Sequence, residues 1–202
     1  MKLPNRLTLT RIVLAFLMTA LLTADGLPYG KTMALLVFLA AAATDYADGW
    51  LARRLGHITH FGQLMDPLAD KVLVSAAFIC FVAMREIVPA WIVILIISRE
   101  FLVTGLRLLA ARQGQTISAG VWGKHKTVWQ LIVIVVVIGG LALEEDLLPL
   151  CVPRAELPHV IESFRAYFSV VTYGASVFAV FITLLSGVIY AREHRGIFTD
   201  DL

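Results

Sequence analysis

Six runs of apolar residues, at about 8–24, 32–52, 68–84, 88–111, 126–143 and 166–190, take up most of this chain. A helix needs roughly 20 residues to cross the hydrocarbon core of a bilayer. Most of these runs reach or approach that length. Hydrocarbon offers no water to backbone N–H and C=O groups, so such runs fold as helices, which satisfy those groups internally. The 202 residues are 59% apolar and 16% charged, against roughly 25% charged in a soluble domain. Mean hydropathy is +0.82. The expected fold is all-α: a polytopic membrane protein with six transmembrane helices and a short amino-terminal interfacial segment, forming one domain over residues 1–202.

The net charge of +2 is small and argues for no nucleic-acid partner. Two cysteines, Cys80 and Cys151, cannot define a disulfide framework. Cys80 lies in an apolar run and reads as packing. Residues 12–24 are apolar, but no small-residue cleavage site follows, so a cleavable signal peptide is not expected. Basic residues gather on one set of flanks: Lys2, Arg6 and Arg11 at the head, Arg53 and Arg54 after the second run, Arg112 and Lys124 after the fourth, Arg192 and Arg195 in the tail. The other flanks mix Lys31 and Arg165 with Asp25, Glu144, Glu145 and Asp146. Lys and Arg accumulate on cytoplasmic flanks, so both termini are expected in the cytoplasm. That bias suits a bacterial inner membrane. The head, Met1–Arg11, reads as a polar lead-in with a candidate cap at Asn5, either lying along the membrane surface or serving as a basic flank. Residues 144–164, with three prolines, form the longest external connection, with room for a surface helix.

Within this greasy chain stand four aspartates: Asp45, Asp48, Asp66 and Asp70. Ionised carboxylates in or beside hydrocarbon are costly unless compensated. The spacings i,i+3 and i,i+4 turn each pair to one side of its helix. The first pair sits near the end of the second run and the second near the start of the third, where Pro67 suits a first helical turn. The connection between the runs is short, so both pairs lie on the same, cytoplasmic, side and can face each other. Four clustered carboxylates require cations, and divalent metal is the simplest answer.

Two divalent ions can clamp the oxygens of a phosphoryl displacement. Magnesium keeps a few carboxylates and completes its shell with water and substrate phosphates, so a diphosphate-linked substrate fits. Gly49, Ala52 and Gly62 allow a bulky ligand close to the backbone. Arg53 adds a cation able to grip a phosphate in two places. A carboxylate not saturated by metal can accept a proton from an attacking hydroxyl. A single aspartate at a helix end is ordinarily a cap or a solvated charge. Four on adjacent spans, with glycines and an arginine between them, are not explained that way.

The string Asp45-x2-Asp48-Gly49-x2-Ala52-Arg53-x8-Gly62-x3-Asp66-x3-Asp70 resembles the signature of the CDP-alcohol phosphotransferases, with every position filled. The resemblance implies an integral membrane enzyme of six transmembrane helices, usually a homodimer. Such enzymes transfer the substituted phosphate of a CDP-linked donor to an alcohol and release CMP. It further implies that Asp45, Asp48, Asp66 and Asp70 hold two divalent cations, Mg2+ or Mn2+, with Asp70 also the general base. Gly49, Ala52, Arg53 and Gly62, with Asp48, would line the CMP part of the donor.

A second segment runs Ser98-Arg99-Glu100-Phe101 to Gly105-Leu106-Arg107 and Arg112, followed by Gly123-Lys124-His125-Lys126-Thr127. Arginine inside a membrane helix is expensive. Arg99 and Arg107 are two turns apart and share a helix face, expected to point inward. Glu100 is expected to pair with a neighbouring cation. Arg107, Arg112, Lys124 and Lys126 read either as topogenic flanks or, with Arg99, as a pocket for the phosphate of an acceptor. Arg99 is alternatively part of a structural ion pair. These runs, and the head Pro4-Asn5-x-Leu7-Thr8-x2-Arg11, are similar to the branch of the family that uses glycerol 3-phosphate. That similarity covers residues 1 to about 130 and implies CDP-diacylglycerol as donor, sn-glycerol 3-phosphate as acceptor, and Asn5 and Thr8 among the donor contacts.

Sister enzymes with inositol phosphate, serine or phosphatidylglycerol as acceptor share the signature. An intramembrane prenyltransferase would have more spans and no Ala-Arg-x8-Gly connection. A divalent-cation transporter would use intramembrane carboxylates nearer the midplane. A scaffold has no use for four acids. His57, His60 and His125 are assigned no ligand role.

Overall fold

The computed structural model describes the backbone of residues 3–24, 26–55, 60–84, 87–112 and 121–193, and the side chains of 9–24, 26–44, 71–84, 87–110, 123 and 125–193. It is all-helical over these residues: α1 (Leu3–Thr23), α2 (Gly30–Leu55), α3 (His60–Ala83), α4 (Ala90–Arg112), α5 (Val121–Ala142), a π-helical turn (Leu143–Leu147), the short α6 (Leu148–Cys151) and α7 (Leu157–Glu193). The π turn joins α5 to α6 through residues in right-handed helical conformation. The chain therefore runs as one helical rod from Val121 to Cys151.

Two boundaries differ from those read in the sequence, and a third segment proves helical over most of its length. The head is not a separate lead-in: α1 is unbroken from Leu3, and Pro4 in its first turn costs no helical hydrogen bond. Helix α3 starts at His60 rather than beside Pro67. Pro67 thus forfeits one ladder bond inside the helix, and Asp66 and Asp70 lie within a helix rather than at its edge. The connection after Glu144 is mostly helical, with only residues 152–156 between α6 and α7.

Helix α1 packs along α2 and α3, α5 joins α2 to α7, and α4 lies on α7. The core is shared by Met18 and Leu22 of α1, Phe38 of α2, Phe78 and Phe81 of α3, Ile92 and Ile96 of α4, and Ile134 and Ile138 of α5. Helix α7 buries a different kind of face: Thr172, Ser176, Ala179, Thr183 and Ser186. Small and hydroxyl residues at that spacing let helices approach closely when lipid removes the hydrophobic drive between them. At Gly140 of α5 a Cβ would stand 2.0 Å from the Phe168 ring of α7.

The outer surface is also apolar. Phe16, Leu36, Ile79, Ile94, Phe101, Val170 and Phe181 are all exposed. Helix α7 is long and apolar enough to cross a membrane, with a mean hydropathy of 2.0 over its most apolar window. At 1.5 Å per residue its 37 residues span about 55 Å, well beyond the roughly 30 Å of hydrocarbon. The apolar stretches Leu9–Thr23, Gly30–Thr44 and Lys71–Ala83 are shorter.

One end of the bundle is stapled by charge. Consecutive side chains of a helical turn point in different directions, and the acids of the π turn use this to reach several partners. Arg165 of α7 donates to the buried Glu144 from Nε at 2.7 Å and from Nη2 at 2.6 Å. Asp146 accepts from Thr32 near the start of α2. Lys31, itself buried, donates to the Leu22 carbonyl at 2.5 Å and lies 3.6 Å from Glu145. A cation there satisfies a carbonyl at the C-terminus of α1. Because α2 runs from Gly30 to Leu55, this staple lies at the end opposite to Asp45 and Asp48.

Candidate active site

Asp45 and Asp48 fall in the last three turns of α2, and Asp66 and Asp70 in the first three turns of α3. The helix is continuous at all four, so each pair keeps one side of its own helix. Only residues 56–59 link the two helices. That link is too short to carry the chain across the bundle, and both pairs belong to one end. The side chains of these aspartates, and of Asn5, Thr8, Gly49, Ala52, Arg53, Gly62, Arg112 and Lys124, lie outside the described residues. Among the described residues, no three His, Cys, Asp or Glu side chains stand together as a metal site.

What is described is a polar seam where α3, α4, α5 and α7 meet. Glu100 of α4 is its centre. Its carboxylate accepts a hydrogen bond from Lys126 Nζ of α5 and another from Arg99 Nη1 at 3.3 Å. Its backbone carbonyl accepts from Lys71 Nζ at 3.5 Å, and Lys71 is the residue that follows Asp70 on α3. Arg99 Nη2 donates to Ser186 Oγ of α7 at 2.7 Å. The Arg99 side chain crosses Gly187, where a Cβ would stand 3.2 Å from Arg99 Cγ. Deeper in the seam, Gln130 of α5 donates to Thr183 of α7 at 3.4 Å.

Charge in this seam is unbalanced among the described residues. Two buried cations, Arg99 and Lys126, share one carboxylate. Buried charge is expensive unless every group is paired. Arg99 is only 7% exposed, and its Nε has no hydrogen-bond partner among the described residues. An unfilled donor on a buried cation is suited to an anion that accepts several hydrogen bonds, such as a phosphate. Through Lys71 the seam is tied to the helix that bears Asp66 and Asp70.

The expected pairing of Glu100 with neighbouring cations is found, and Arg99 and Lys126 come together through it. Arg107 lies on the α7 side of α4 as Arg99 does, but outside the buried seam. It is exposed, and its guanidinium carbon lies 5.6 Å from the ring centroid of Tyr190 on α7. Its head rests on an aromatic face while remaining open to solvent. The contacts of Ser186 and Gly187 with Arg99, and of Tyr190 with Arg107, were not legible in the sequence. Their one sequence signal is the run of small and hydroxyl residues at helical spacing along α7.

The sequence profile of CDP-alcohol phosphatidyltransferases matches residues 1–185. The chain belongs to this family. As a CDP-alcohol phosphatidyltransferase it is an enzyme, and the matched region includes the aspartate string on α2 and α3. Three bacterial relatives carry the name CDP-diacylglycerol–glycerol-3-phosphate 3-phosphatidyltransferase. That of Bacillus subtilis (strain 168) is 43% identical over 143 residues, which is 65% of this chain and 74% of that protein. That of Pseudomonas fluorescens is 37% identical over 146 residues, 68% of this chain and 72% of that one. That of Rickettsia bellii is 34% identical over 140 residues, 68% and 75% of the two chains.

Proposed function

We propose that this phosphatidyltransferase moves the phosphatidyl group of CDP-diacylglycerol onto the primary hydroxyl of sn-glycerol 3-phosphate, giving phosphatidylglycerol phosphate and CMP. The observation that carries the choice of acceptor is the buried pair Arg99 and Lys126, one charge in excess over Glu100 among the described residues, with Arg99 Nε unpartnered. An alcohol that already bears a phosphate supplies what this seam lacks. The names of the bacterial relatives agree with it.

In this reading α1 to α5 and α7 each cross the bacterial inner membrane, with both termini and the aspartates at the cytoplasmic face and the chain paired as a homodimer. The exposed apolar side chains would meet lipid, and the basic flanks would lie inside. Asp45, Asp48, Asp66 and Asp70 would hold two divalent cations. Four carboxylates from two adjoining helix ends are the hard oxygen donors that Mg2+ or Mn2+ takes. Bound there, the cations would neutralise the donor diphosphate and the departing phosphate of CMP.

The remaining work falls to side chains. Gly49, Ala52 and Gly62 leave room for the cytidine nucleotide, while Arg53, Asn5 and Thr8 contact the donor. Arg99 and Lys126 hold the acceptor phosphate, with Arg107, Lys124 and Arg112 at its approach. Asp70 takes the proton of the primary hydroxyl. The freed oxygen bonds to the phosphorus that bears the lipid, and the bond from that phosphorus to the CMP oxygen breaks. Lys71 ties the Asp70 helix to the Glu100 carbonyl, so base and acceptor keep a fixed separation.

The test is CMP release by the purified protein with CDP-diacylglycerol and each alcohol in turn. Release with glycerol 3-phosphate, and not with serine, inositol phosphate or phosphatidylglycerol, is expected. Preference for another alcohol overturns the acceptor. No CMP release with any alcohol, together with divalent-ion flux into vesicles, would favour a transporter.

A further inference from the structure

Among the described residues helix α7 brings no charged side chain into the seam, yet Arg99 and Arg107 of α4 lean on it. Arg99 Nη2 is fixed by Ser186 Oγ at 2.7 Å, and Ser186 is 2% exposed. Its Nη1 is turned toward Glu100 at 3.3 Å. With both terminal nitrogens engaged, the direction in which the unpartnered Nε–H points is set by the protein. The stem of Arg99 is laid across Gly187, where a Cβ would stand 3.2 Å from Cγ and 3.5 Å from Nε. One turn further along α7, Tyr190 places its ring 5.6 Å from the Arg107 guanidinium carbon. Ser186, Gly187 and Tyr190 thus form one short rack, and it takes hold of arginines two turns apart on the neighbouring helix.

A rack of this kind has a chemical use. Arginine has a long stem with many rotamers, and a guanidinium held in place loses little freedom when it binds. Its planar fork is directional, so a small rotation misaligns it with a phosphate oxygen. A cation needed only for charge balance would not require a glycine for its stem and a hydroxyl for its head.

We infer that Ser186 and Gly187 are positioning residues that aim Arg99 at the phosphate of the acceptor, with Tyr190 holding Arg107 at its approach. Through them α7 sets the preference for a phosphorylated over an unphosphorylated alcohol. The inference rests on the acceptor reading proposed above.

The experiment is steady-state CMP release by the full chain in lipid nanodiscs, with CDP-diacylglycerol saturating and glycerol 3-phosphate or plain glycerol varied. Ser186→Ala is expected to raise KM for glycerol 3-phosphate about tenfold, the value of one hydrogen bond to a charged group. Its kcat and its KM for CDP-diacylglycerol stay within about twofold. Gly187→Ala, which pushes a methyl group against Arg99, shows the same split. Ser186→Thr keeps the hydroxyl and restores most of the affinity. The ratio of glycerol 3-phosphate to glycerol use falls in Ser186→Ala and Gly187→Ala. A loss of folded protein would lower kcat and leave KM alone, so it is separable.

Arg99→Ala is measured alongside. If it raises KM for glycerol 3-phosphate while Ser186→Ala and Gly187→Ala do not, the positioning role is overturned and the acceptor reading stands. If Arg99→Ala leaves that KM unchanged, the acceptor reading falls and the inference falls with it.

Discussion

Asp146 caps a helix far back in the chain: one of its oxygens accepts hydrogen bonds from the backbone N–H and the hydroxyl of Thr32, 114 residues earlier, each at 2.7 Å. Thr32 is in the first turn of α2, whose N–H groups have no partner within the helix. A carboxylate there satisfies one of them and complements the positive end of the helix dipole. Replacing Asp146 by Ala is expected to cost about 1–2 kcal/mol. The check is the unfolding midpoint of the detergent-solubilised protein, which falls. CMP release at low temperature is expected to stay near the parent value, because the cap lies at the end of α2 remote from Asp45 and Asp48.

Glu100 is the hub of the buried ion network, with Arg99 and Lys126 both on its carboxylate. Removing one partner of such a network leaves buried charge uncompensated, at a cost of about 3 kcal/mol or more. Glu100→Gln is therefore expected to be markedly less stable than the parent. Adding Lys126→Gln to it should recover part of the loss, since the second change removes an orphaned cation. Additive losses in thermal unfolding would show that the two side chains are not coupled.

Gly140 faces Phe168 with no room for a side chain, a Cβ there standing 2.0 Å from the ring. Gly140→Ala is expected to destabilise by about 1–3 kcal/mol through overpacking. At Gly139, the neighbouring position, a Cβ meets nothing within 4 Å, and alanine there should be tolerated. Combining Gly140→Ala with Phe168→Ala should restore part of the stability. If Gly139→Ala and Gly140→Ala melt alike, α5 and α7 are not in the contact described.

Asp70→Asn keeps the size of the side chain and removes the proposed base. Turnover is expected to fall by about 10²–10⁴, the range of general-base contributions, with the melting profile kept. Near-normal CMP release from this variant would remove Asp70 from that role.

Chelation tests the carboxylate donor set. EDTA is expected to abolish CMP release and added Mg2+ or Mn2+ to restore it, with the required concentration raised in Asp45→Asn or Asp66→Asn. Full turnover after exhaustive chelation would contradict the assignment.

Hydropathy alone announced long helices here, because in lipid a backbone can hide its polar groups in few other ways. The spacing of Asp45, Asp48, Asp66 and Asp70 was equally legible, since helical geometry turns i,i+3 and i,i+4 residues to one side whatever surrounds them. The expectation that Glu100 pairs with a cation followed from the cost of a buried acid. These are local or nearly local rules, and they carry over into the folded chain.

Local rules do not reach across helices that are greasy on nearly every side, because no polar–apolar contrast marks which face will be covered. Packing between distant segments brought Arg99 to Ser186 and Gly187, laid Arg107 against Tyr190, and set Asp146 over Thr32. In the fold α3 continues through Pro67, where the proline had suggested a start, and α5 continues into the π turn. Close contact in α7 depends on the absence of side-chain bulk, and small residues become informative once the neighbour that fills the space is known.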